Sequence, residues 1–311
     1  MQYRNLGNSG LKVSSISMGT VFRGNPDEQT CKATISRAIE LGVSLIDCAN
    51  TYQNGHSERM VGDVVGQHSR DELVVTTKVC EPVGDGPNDQ GLSRGHILRE
   101  IESSLSRLQM DYVDIYLLHH YDPAVPIEET LGALDNLVQR GLVRYIGCCN
   151  FAAWQVCKAN GLGERNGIVS FNCVQNPYNL ISRELENEMM PFCRSEGLGV
   201  MVYSPIALGL LSGKYRANTN LPAGSYWHSR QDKLKKRGTP AVEKIVEAIG
   251  RIGASHGKSS AQTAIAWLLS HPEVSTVITG PDTIAELEEN LGGSDWELSP
   301  AERLELDELS S

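Results

Sequence analysis

The 311-residue sequence has no apolar run approaching about 18 residues, and its first residues lack the apolar stretch of a signal peptide. Its eight cysteines include no Cys-x-x-Cys pair, so neither a zinc site nor a disulfide framework is indicated. Scattered thiols in a chain of this length are typical of a reducing compartment. We therefore expect a cytoplasmic protein that enters no membrane.

The sequence is also poor in positive charge, with 28 Lys and Arg against 38 Asp and Glu and a formal net charge of −10. Nucleic-acid binding relies on cationic surface that displaces counterions. We therefore expect a small-molecule partner and no nucleic acid. Hydrophobic residues make up 40% of the chain, which suffices for a sizeable core in a soluble protein, while the oligomeric state stays open.

Three site motifs are missing as well. The stretch from Gly209 to Lys214 has three residues between its glycines instead of the four of a Walker A sequence. Gly161 and Gly163 follow no predicted strand, so they are not a dinucleotide-binding fingerprint. The eight histidines include no His-x-His pair. We therefore expect no metal, and a metal-dependent barrel hydrolase is a strongly disfavoured alternative.

What the sequence does contain is a regular alternation of short apolar runs and longer stretches whose apolar residues recur at helical spacing. A turn cluster at 7–10 between alternating runs at 3–6 and 11–13 predicts an opening hairpin. The alternation predicts a (β/α)₈ TIM barrel forming one domain over 1–311, with a doubly wound open sheet as the less favoured alternative. The predicted strands are 16–20, 45–47, 73–78, 113–119, 145–149, 171–176, 199–204 and 274–279, and the predicted helices are 26–41, 57–65, 93–108, 127–140, 152–159, 184–196, 241–256 and 261–270.

Polar side chains end three consecutive predicted strands. Asp47 closes one apolar run with Tyr52 five residues later, and Lys78 and His119 close the next two. The carboxyl ends of barrel strands meet at one rim, where barrel enzymes hold their catalytic groups. A phenol titrates near 10, so a nearby ammonium that favours the phenolate would tune it, and a carboxylate would keep that ammonium charged. Together the four residues indicate proton donation to a carbonyl, with His119 bonding the substrate oxygen or relaying a proton.

In this order and strand context the four residues resemble the Asp, Tyr, Lys, His tetrad of the aldo-keto reductases. The resemblance extends from 3–11 to 287–291 and is greatest to the branch that includes bacterial reductases and potassium-channel β subunits. It implies NAD(P)H as cofactor and reversible hydride transfer to the carbonyl carbon of an aldehyde, ketone, sugar or glycoside. Tyr52 would be the general acid and base, and Lys78 would lower its pKa. Asp47 would pair with Lys78, and His119 would orient the carbonyl.

The alternative that the resemblance leaves is a nucleotide-binding regulatory subunit like those of potassium channels. Those subunits commonly carry Asn at the position of His119. The histidine of this chain therefore favours an enzyme.

The resemblance also implies where the nucleotide binds. Asn150 and Gln175 would hold the nicotinamide carboxamide, Tyr203 would stack under the ring, and 206–214 would cover the diphosphate. Family members commonly have Ser where this chain has Cys149. The predicted cofactor residues lie at strand ends and in the loops after them: Gly19, Thr20, Asp47, Cys149, Asn150, Gln175, Tyr203, Ser204, Ile206, Leu208, Gly209, Leu211, Gly213, Lys214, Gly280, Asp282, Glu286, Glu289 and Asn290.

Two carboxylates bear on the choice of nucleotide. NADPH-using relatives often have Arg or Ser where this chain has Asp282, and Gln where it has Glu286. A carboxylate repels a 2′-phosphate but accepts hydrogen bonds from ribose hydroxyls, which favours NADH. A basic cluster at 233–237 would act in the opposite direction.

Two long connections, 81–92 and 215–240, follow predicted strands and exceed the usual length of barrel loops. We expect both to be rim loops that close over substrate or cofactor, the first as a mobile lid. The predicted substrate-binding residues are Phe22, His120, Tyr121 and Trp227. Their mixture of aromatic and hydrogen-bonding groups selects no single substrate.

Overall fold

The computed structural model describes residues 1–24, 26–215 and 226–311. Within that part of the chain, no helix is both long enough and apolar enough to cross a membrane. The first element is an antiparallel hairpin of β1 (Tyr3–Asn5) and β2 (Lys12–Ser14). It confirms the hairpin expected from a turn cluster between two alternating runs.

The centre of the fold is a closed barrel of eight parallel strands, in which each strand pairs with the next along the chain and the last pairs with the first. Most strand residues are buried, because the inner face fills the barrel and the outer face packs against helices. The strands are β3 (Ile16–Gly19), β4 (Leu45–Asp47), β5 (Val74–Val79), β6 (Val113–Leu118), β7 (Val143–Cys149), β8 (Cys173–Pro177), β9 (Gly199–Tyr203) and β10 (Val274–Thr279). The predicted (β/α)₈ barrel is confirmed.

The hairpin closes one end of this barrel. Leu6 and Val13 are fully buried and belong to one apolar cluster with inward-facing strand residues. Gly7 has a φ of 57°, and a Cβ at this position would lie 2.4 Å from the carbonyl oxygen of Gly197. Only glycine permits so close an approach in this conformation. The other end of the barrel, where the strands reach their carboxyl ends, is left for the site.

Helices surround the strands. Several begin at side-chain caps: the carboxylate of Asp27 accepts a hydrogen bond from the N–H of Thr30, while Ser259 and Ser299 begin capping boxes. The helices of the described chain are α1 (Glu28–Glu40), α2 (His56–Val65), α3 (Arg94–Leu108), α4 (Ile127–Gln139), α5 (Ala153–Asn166), α6 (Met189–Glu196), α7 (Gln231–Arg237), α8 (Pro240–Ser255), α9 (Ser260–Leu269), α10 (Ile284–Leu291) and α11 (Pro300–Leu309).

The helices differ from the prediction in four places. Helix α5 does not end at 159 but continues to its C-cap Gly167, and Gly163 lets it approach Val169, whose carbonyl oxygen would lie 2.7 Å from a Cβ. The predicted helix 184–196 is divided, since a short 3₁₀ turn at Glu184–Glu186 precedes α6. Helix α11 is not predicted, and α7 lies inside the expected loop 215–240.

Candidate active site

A cavity of about 480 Å³ opens at the carboxyl ends of the barrel strands. Asp47 ends β4, Tyr203 ends β9, and His119 and Asn150 directly follow β6 and β7; all four line the wall. The parallel sheet therefore brings side chains that are far apart in sequence to one rim.

A buried ion pair lies at the base of this cavity. Lys78 Nζ donates to Asp47 Oδ2 at 2.7 Å and to the carbonyl oxygen of Cys48 at 2.8 Å, and Lys78 is fully buried. Asp47 Oδ1 accepts hydrogen bonds from Thr76 Oγ1 at 2.6 Å and Gln175 Nε2 at 2.9 Å. Burial, the largest single effect, lowers the pKa of Lys78, but Asp47, Tyr52 and Cys149 together outweigh it, so the pKa is raised and the ammonium stays charged.

Tyr52 lies on a short 3₁₀ turn, Tyr52–Gly55, directly above this pair. Its hydroxyl accepts a hydrogen bond from Lys78 Nζ at 3.2 Å, and the ammonium lies 4.7 Å from the ring centroid. Burial raises the pKa of Tyr52 to about 12, although Lys78 acts to lower it. The sequence predicts the direction of the Lys78 effect, but burial dominates because the phenol is largely removed from water. The phenol is therefore neutral at pH 7 and able to donate a proton.

The ring of His119 lies edge-on to the ring of Tyr52, with centroids 5.9 Å apart and planes at 69°. Burial, assisted by the charges of Lys78 and His120, lowers the pKa of His119 to about 3. The imidazole is therefore neutral, and its buried Nδ1 has no hydrogen-bond partner among the described residues. His120 stacks on it at 5.2 Å, and the Nε2 of His120 lies 3.0 Å from the Glu81 carboxylate.

Two amide side chains line the wall beside the ion pair. Asn150 Nδ2 donates to the carbonyl oxygen of His119 at 3.0 Å, and Asn150 Oδ1 accepts from the Tyr203 hydroxyl at 2.8 Å. Gln175 donates to Asp47, and its Oε1 accepts a long 3.6 Å contact from Cys149 Sγ. An amide has two N–H donors and two acceptor lone pairs. Each of these side chains therefore has one donor and one lone pair left for a ligand. This donor set fits a planar carboxamide.

The segment after β9 forms a tight turn with left-handed backbone angles beside the cavity. Leu208 and Gly209 adopt left-handed φ angles of 59° and 89° within Ala207–Ser212. A Cβ on Gly209 would lie 2.6 Å from the ring of Tyr215, so the turn requires glycine. Lys214, which also lines the cavity, pairs with Glu289 on α10 at 3.1 Å. A flexible ammonium beside a glycine turn is a donor set that suits a diphosphate.

The wall after β10 is rich in carboxylates. Asp282 Oδ2 accepts a hydrogen bond from the N–H of Gly24 at 2.8 Å, and the N–H of Asp282 donates to Glu286 at 2.9 Å. Asp282 Oδ1 is buried and has no partner among the described residues. Burial and the neighbouring Glu286 raise the pKa of Asp282, against the N–H of Gly24, which lowers it.

The structure places most predicted site residues on the cavity wall. Among the predicted cofactor residues, those that line it are Gly19, Asp47, Asn150, Gln175, Tyr203, Ser204, Ile206, Leu208, Gly209, Lys214, Gly280, Asp282, Glu286, Glu289 and Asn290. Thr20, Cys149, Leu211 and Gly213 do not line it. Lys78 does not line it either and reaches the cavity through Asp47 and Tyr52. Thr20, for example, donates to the carbonyl oxygen of Asp47 at 3.0 Å, so it supports the wall instead of forming it.

The predicted substrate residues divide in the same way. Phe22 and His120 line the cavity, whereas Tyr121 and Trp227 do not. Tyr121 packs edge-on against Phe151 with ring centroids 5.3 Å apart. Trp227 is 1% exposed, and its Nε1 donates to the carbonyl oxygen of Leu208 at 2.8 Å. Trp227 therefore holds the turn after β9 from behind and does not face the cavity.

Arg23 is a wall residue that the sequence analysis misses. It follows Phe22, whose side chain is buried at 3% exposure and whose φ is 47°. Its positive charge acts on both Tyr203 and Asp282, lowering the pKa of each against the dominant effect of burial. No motif marks an arginine in the loop after the first barrel strand, because its position depends on the contact between Gly24 and Asp282.

The two long connections differ in their relation to the cavity wall. Residues 81–92, all of them described, contribute nothing to the cavity wall. Hydrogen bonds hold their end, where Gly91 donates to the Cys80 carbonyl and Leu92 to Asp122. The expected lid therefore does not cover the cavity in this structure.

In the second connection, residues 216–225 lie outside the described residues, while Tyr215 and Tyr226 line the cavity. The basic cluster at 233–237 belongs to the exposed α7, and none of its residues lines the cavity. Among the described residues, no group of three His, Cys, Asp or Glu side chains has a geometry that could hold a metal ion.

The sequence matches the Aldo/keto reductase family over residues 15–311. It is 37% identical to a protein from Oryza sativa subsp. japonica named probable voltage-gated potassium channel subunit beta, over 95% of this chain and 92% of that protein. It is 35% identical to the uncharacterized oxidoreductase YrpG of Bacillus subtilis, over 94% and 90%. It is 32% identical to versiconal hemiacetal acetate reductase of Aspergillus parasiticus, over 99% and 96%.

The chain belongs to the aldo/keto reductase family, which confirms the resemblance stated from its sequence. It is an NAD(P)H-dependent oxidoreductase.

Proposed function

We propose that the protein reversibly reduces a carbonyl substrate with Tyr52 as general acid. The observation that carries this proposal is the position of Lys78 Nζ, 2.7 Å from Asp47 and 3.2 Å from the Tyr52 hydroxyl, beneath a phenol that opens on the cavity. The bound nicotinamide would supply or accept the hydride. In reduction, the neutral phenol donates its proton to the substrate oxygen as negative charge develops there.

The other tetrad residues support that proton transfer. Lys78 stabilises the phenolate that remains, and Asp47 raises the pKa of Lys78 against burial, which acts to lower it. His119 is neutral, so it orients the substrate oxygen as a hydrogen-bond donor and adds no positive charge. In the oxidative direction Tyr52 acts as the base.

The residues around the tetrad would hold the nucleotide. Asn150 and Gln175 offer the carboxamide their remaining donors and acceptors. Tyr203 would lie against the ring, and 206–214 would bind the diphosphate. Glu289 and Asn290, which line the cavity on α10, would contact the adenine.

We also propose a preference for NADH. Asp282, Glu286 and Glu289 place three carboxylates on the wall after β10, and carboxylates repel a 2′-phosphate while accepting hydrogen bonds from ribose hydroxyls. The basic cluster at 233–237 lies away from the cavity wall and does not offset them.

The substrate class proposed from the wall is broad: an aldehyde, ketone, sugar or glycoside. Phe22 supplies an apolar surface, and His120 supplies a hydrogen-bonding group whose imidazole contacts Glu81. A small carbonyl compound with both an apolar and a hydroxylated part suits this pair.

The second candidate is a nucleotide-binding regulatory subunit, because relatives of 33–37% identity carry the name of channel β subunits. Such a role requires the barrel and the nucleotide but no turnover. The complete tetrad of this chain favours the enzyme.

Turnover separates the two candidates. Purified protein is titrated with NADH and with NADPH, and reduction of aromatic aldehydes and open-chain sugars is followed by loss of the reduced nucleotide. We expect Tyr52→Phe to lower kcat by about 10²–10⁴-fold while nucleotide binding is retained. Tyr112→Phe is the matched control, because Tyr112 directly precedes β6 and so lies at the end of the barrel opposite the cavity. Near wild-type turnover by Tyr52→Phe contradicts the proposal.

A further inference from the structure

A buried polar network lies behind the turn that carries Tyr52, and none of its members lines the cavity. It comprises Asn50 in the connection between β4 and α2, Glu58 on α2, and Glu100 and Arg107 on α3. Asn50, Glu58 and Glu100 are 3%, 0% and 7% exposed. We call these four residues the loop clamp. Nothing in the proposed chemistry uses them, although buried charged groups are costly to place in a fold.

The loop clamp contacts the chain on both sides of Tyr52. Two residues before the tyrosine, Asn50 Nδ2 donates to Glu100 Oε2 at 2.8 Å. Three residues after it, Gly55 has a φ of 82° and lies against Arg107, whose Cδ would be 2.7 Å from a Cβ at this position. The clamp therefore holds the tyrosine-bearing segment from both sides.

The segment between these contacts is strained. Gln53 and Asn54 adopt left-handed φ angles of 50° and 55°. Non-glycine residues in this conformation are strained, and they persist only where the surroundings hold them. Loss of the clamp should therefore let the backbone next to Tyr52 relax.

The same network also holds the strand that carries the ammonium. Glu58 accepts a 2.5 Å hydrogen bond from Thr77 Oγ1 and pairs with Arg107 Nε. Side chains alternate along a strand, so Thr77 points outward to Glu58 while Lys78, its neighbour on β5, points inward to Asp47. One network thus contacts both the turn of the phenol and the strand of the lysine.

We propose that the loop clamp is a positioning device that sets the 3.2 Å separation between the Tyr52 hydroxyl and Lys78 Nζ. Asn50 and Glu100 are its positioning residues, since their hydrogen bond is the direct link between α3 and the segment before Tyr52. They touch neither substrate nor nucleotide. This inference rests on the proposed role of Tyr52, because the separation matters only if the phenol carries the proton.

The test uses a donor and acceptor exchange. In Asn50→Asp two carboxylates face each other, so the hydrogen bond between positions 50 and 100 is lost. The double variant Asn50→Asp with Glu100→Gln restores this hydrogen bond, with the amide of position 100 now the donor. We expect Asn50→Asp to lower kcat on the order of 10²-fold, the cost of a misplaced reacting group. The double variant should recover to within a few-fold of wild type. KM for the aldehyde and the affinity for NADH should stay unchanged in both.

A second readout separates positioning from mere stability. When the phenol moves away from Lys78, the rising limb of the oxidative pH profile, along which Tyr52 becomes the phenolate base, should move to higher pH in Asn50→Asp and return in the double variant. If Asn50→Asp does not fold, Asn50→Ala takes its place, because it removes the donor without adding charge. Its kcat and pH profile are then compared with those of the wild type. Asn160→Ala is the matched control, because Asn160 accepts a 2.9 Å hydrogen bond from Phe171 far from this turn.

The outcomes are distinct. Wild-type kcat in folded Asn50→Asp or Asn50→Ala, together with an inactive Tyr52→Phe, overturns the loop clamp and leaves the proposed function intact. An active Tyr52→Phe overturns the proposed function itself. An equal loss of kcat in Asn160→Ala shows that the effect is one of general stability, which also overturns the positioning role.

Discussion

The backbone N–H of Gly24 donates a 2.8 Å hydrogen bond to Oδ2 of Asp282, which joins the loop after β3 to the loop after β10 beside the cavity. One oxygen of Asp282 thus holds a loop in place, while the other, Oδ1, is buried without a partner among the described residues. The same carboxylate therefore shapes the cavity and contributes to its negative charge.

Reversal of this charge should change the choice of nucleotide. We expect Asp282→Arg to shift the ratio of kcat/KM from NADH towards NADPH by about tenfold or more, because a guanidinium forms charge-assisted hydrogen bonds with a 2′-phosphate. Glu288→Gln is the control, since Glu288 is on α10 but pairs with Arg37 away from the cavity. An unchanged ratio would show that Asp282 does not contact the ribose.

The Lys78–Asp47 pair should contribute to stability as well as to chemistry. Lys78→Met leaves a buried carboxylate without its cation, so we expect it to lower the free energy of unfolding by about 3–5 kcal/mol. Lys32→Met, which breaks solvent-screened pairs with Glu28 and with Asp63, should cost much less. Urea denaturation compares the two. A loss in Lys78→Met no larger than that in Lys32→Met contradicts the buried-pair assignment.

Tyr52 should ionise only at high pH in the nucleotide-free protein, because burial raises its pKa to about 12. The ultraviolet absorbance of tyrosinate is measured as a difference between wild type and Tyr52→Phe. We expect no difference signal at pH 10, where a tyrosine in water is half ionised. A signal that appears near or below pH 9 would mean that Lys78 outweighs burial.

His119 should make stability depend on pH in the acid range. Its pKa falls from 6.5 to about 3 on folding, so between these values the unfolded chain binds a proton that the native chain does not. The contribution of His119 to the free energy of unfolding is therefore fully present above pH 6.5 and is lost as the pH falls towards 3. We expect His119→Asn to lose less stability than wild type between pH 6.5 and 4 in urea titrations. Parallel curves for the two proteins would contradict the shift.

The glycine turn after β9 should be required for nucleotide binding. Gly209→Ala puts a Cβ 2.6 Å from the Tyr215 ring on a φ of 89°, so we expect a cost of about 1–3 kcal/mol and weaker binding of NADH. Gly132→Ala on α4 meets no atom within 4 Å and should leave binding unchanged. Fluorescence titration with NADH measures the affinity of both variants. Equal affinities would show that 206–214 does not bind the diphosphate.

Much of the fold follows from local pattern. Alternating apolar runs and helical stretches predicted the eight strands, because a strand buried on both faces must be apolar along its whole length. The ends of those runs predicted that Asp47, Lys78 and His119 share one rim, because parallel strands in a barrel all finish on the same side. The family resemblance then predicted most residues of the cavity wall.

Other features depend on contacts between segments far apart in the chain. Trp227 resembles a pocket residue in sequence, yet its indole is buried behind the wall, because the Leu208 carbonyl accepts its only N–H. Arg23 joins the wall through the bond between Gly24 and Asp282.

The state of the phenol is the clearest division between sequence and structure. The sequence by itself determined that a lysine would lie beside Tyr52 and act to lower its pKa. Only the tertiary structure decided that the pKa is raised instead, because desolvation depends on how completely distant segments enclose the ring. The sequence pattern predicts which side chains lie together, whereas tertiary packing determines how far each side chain is removed from water.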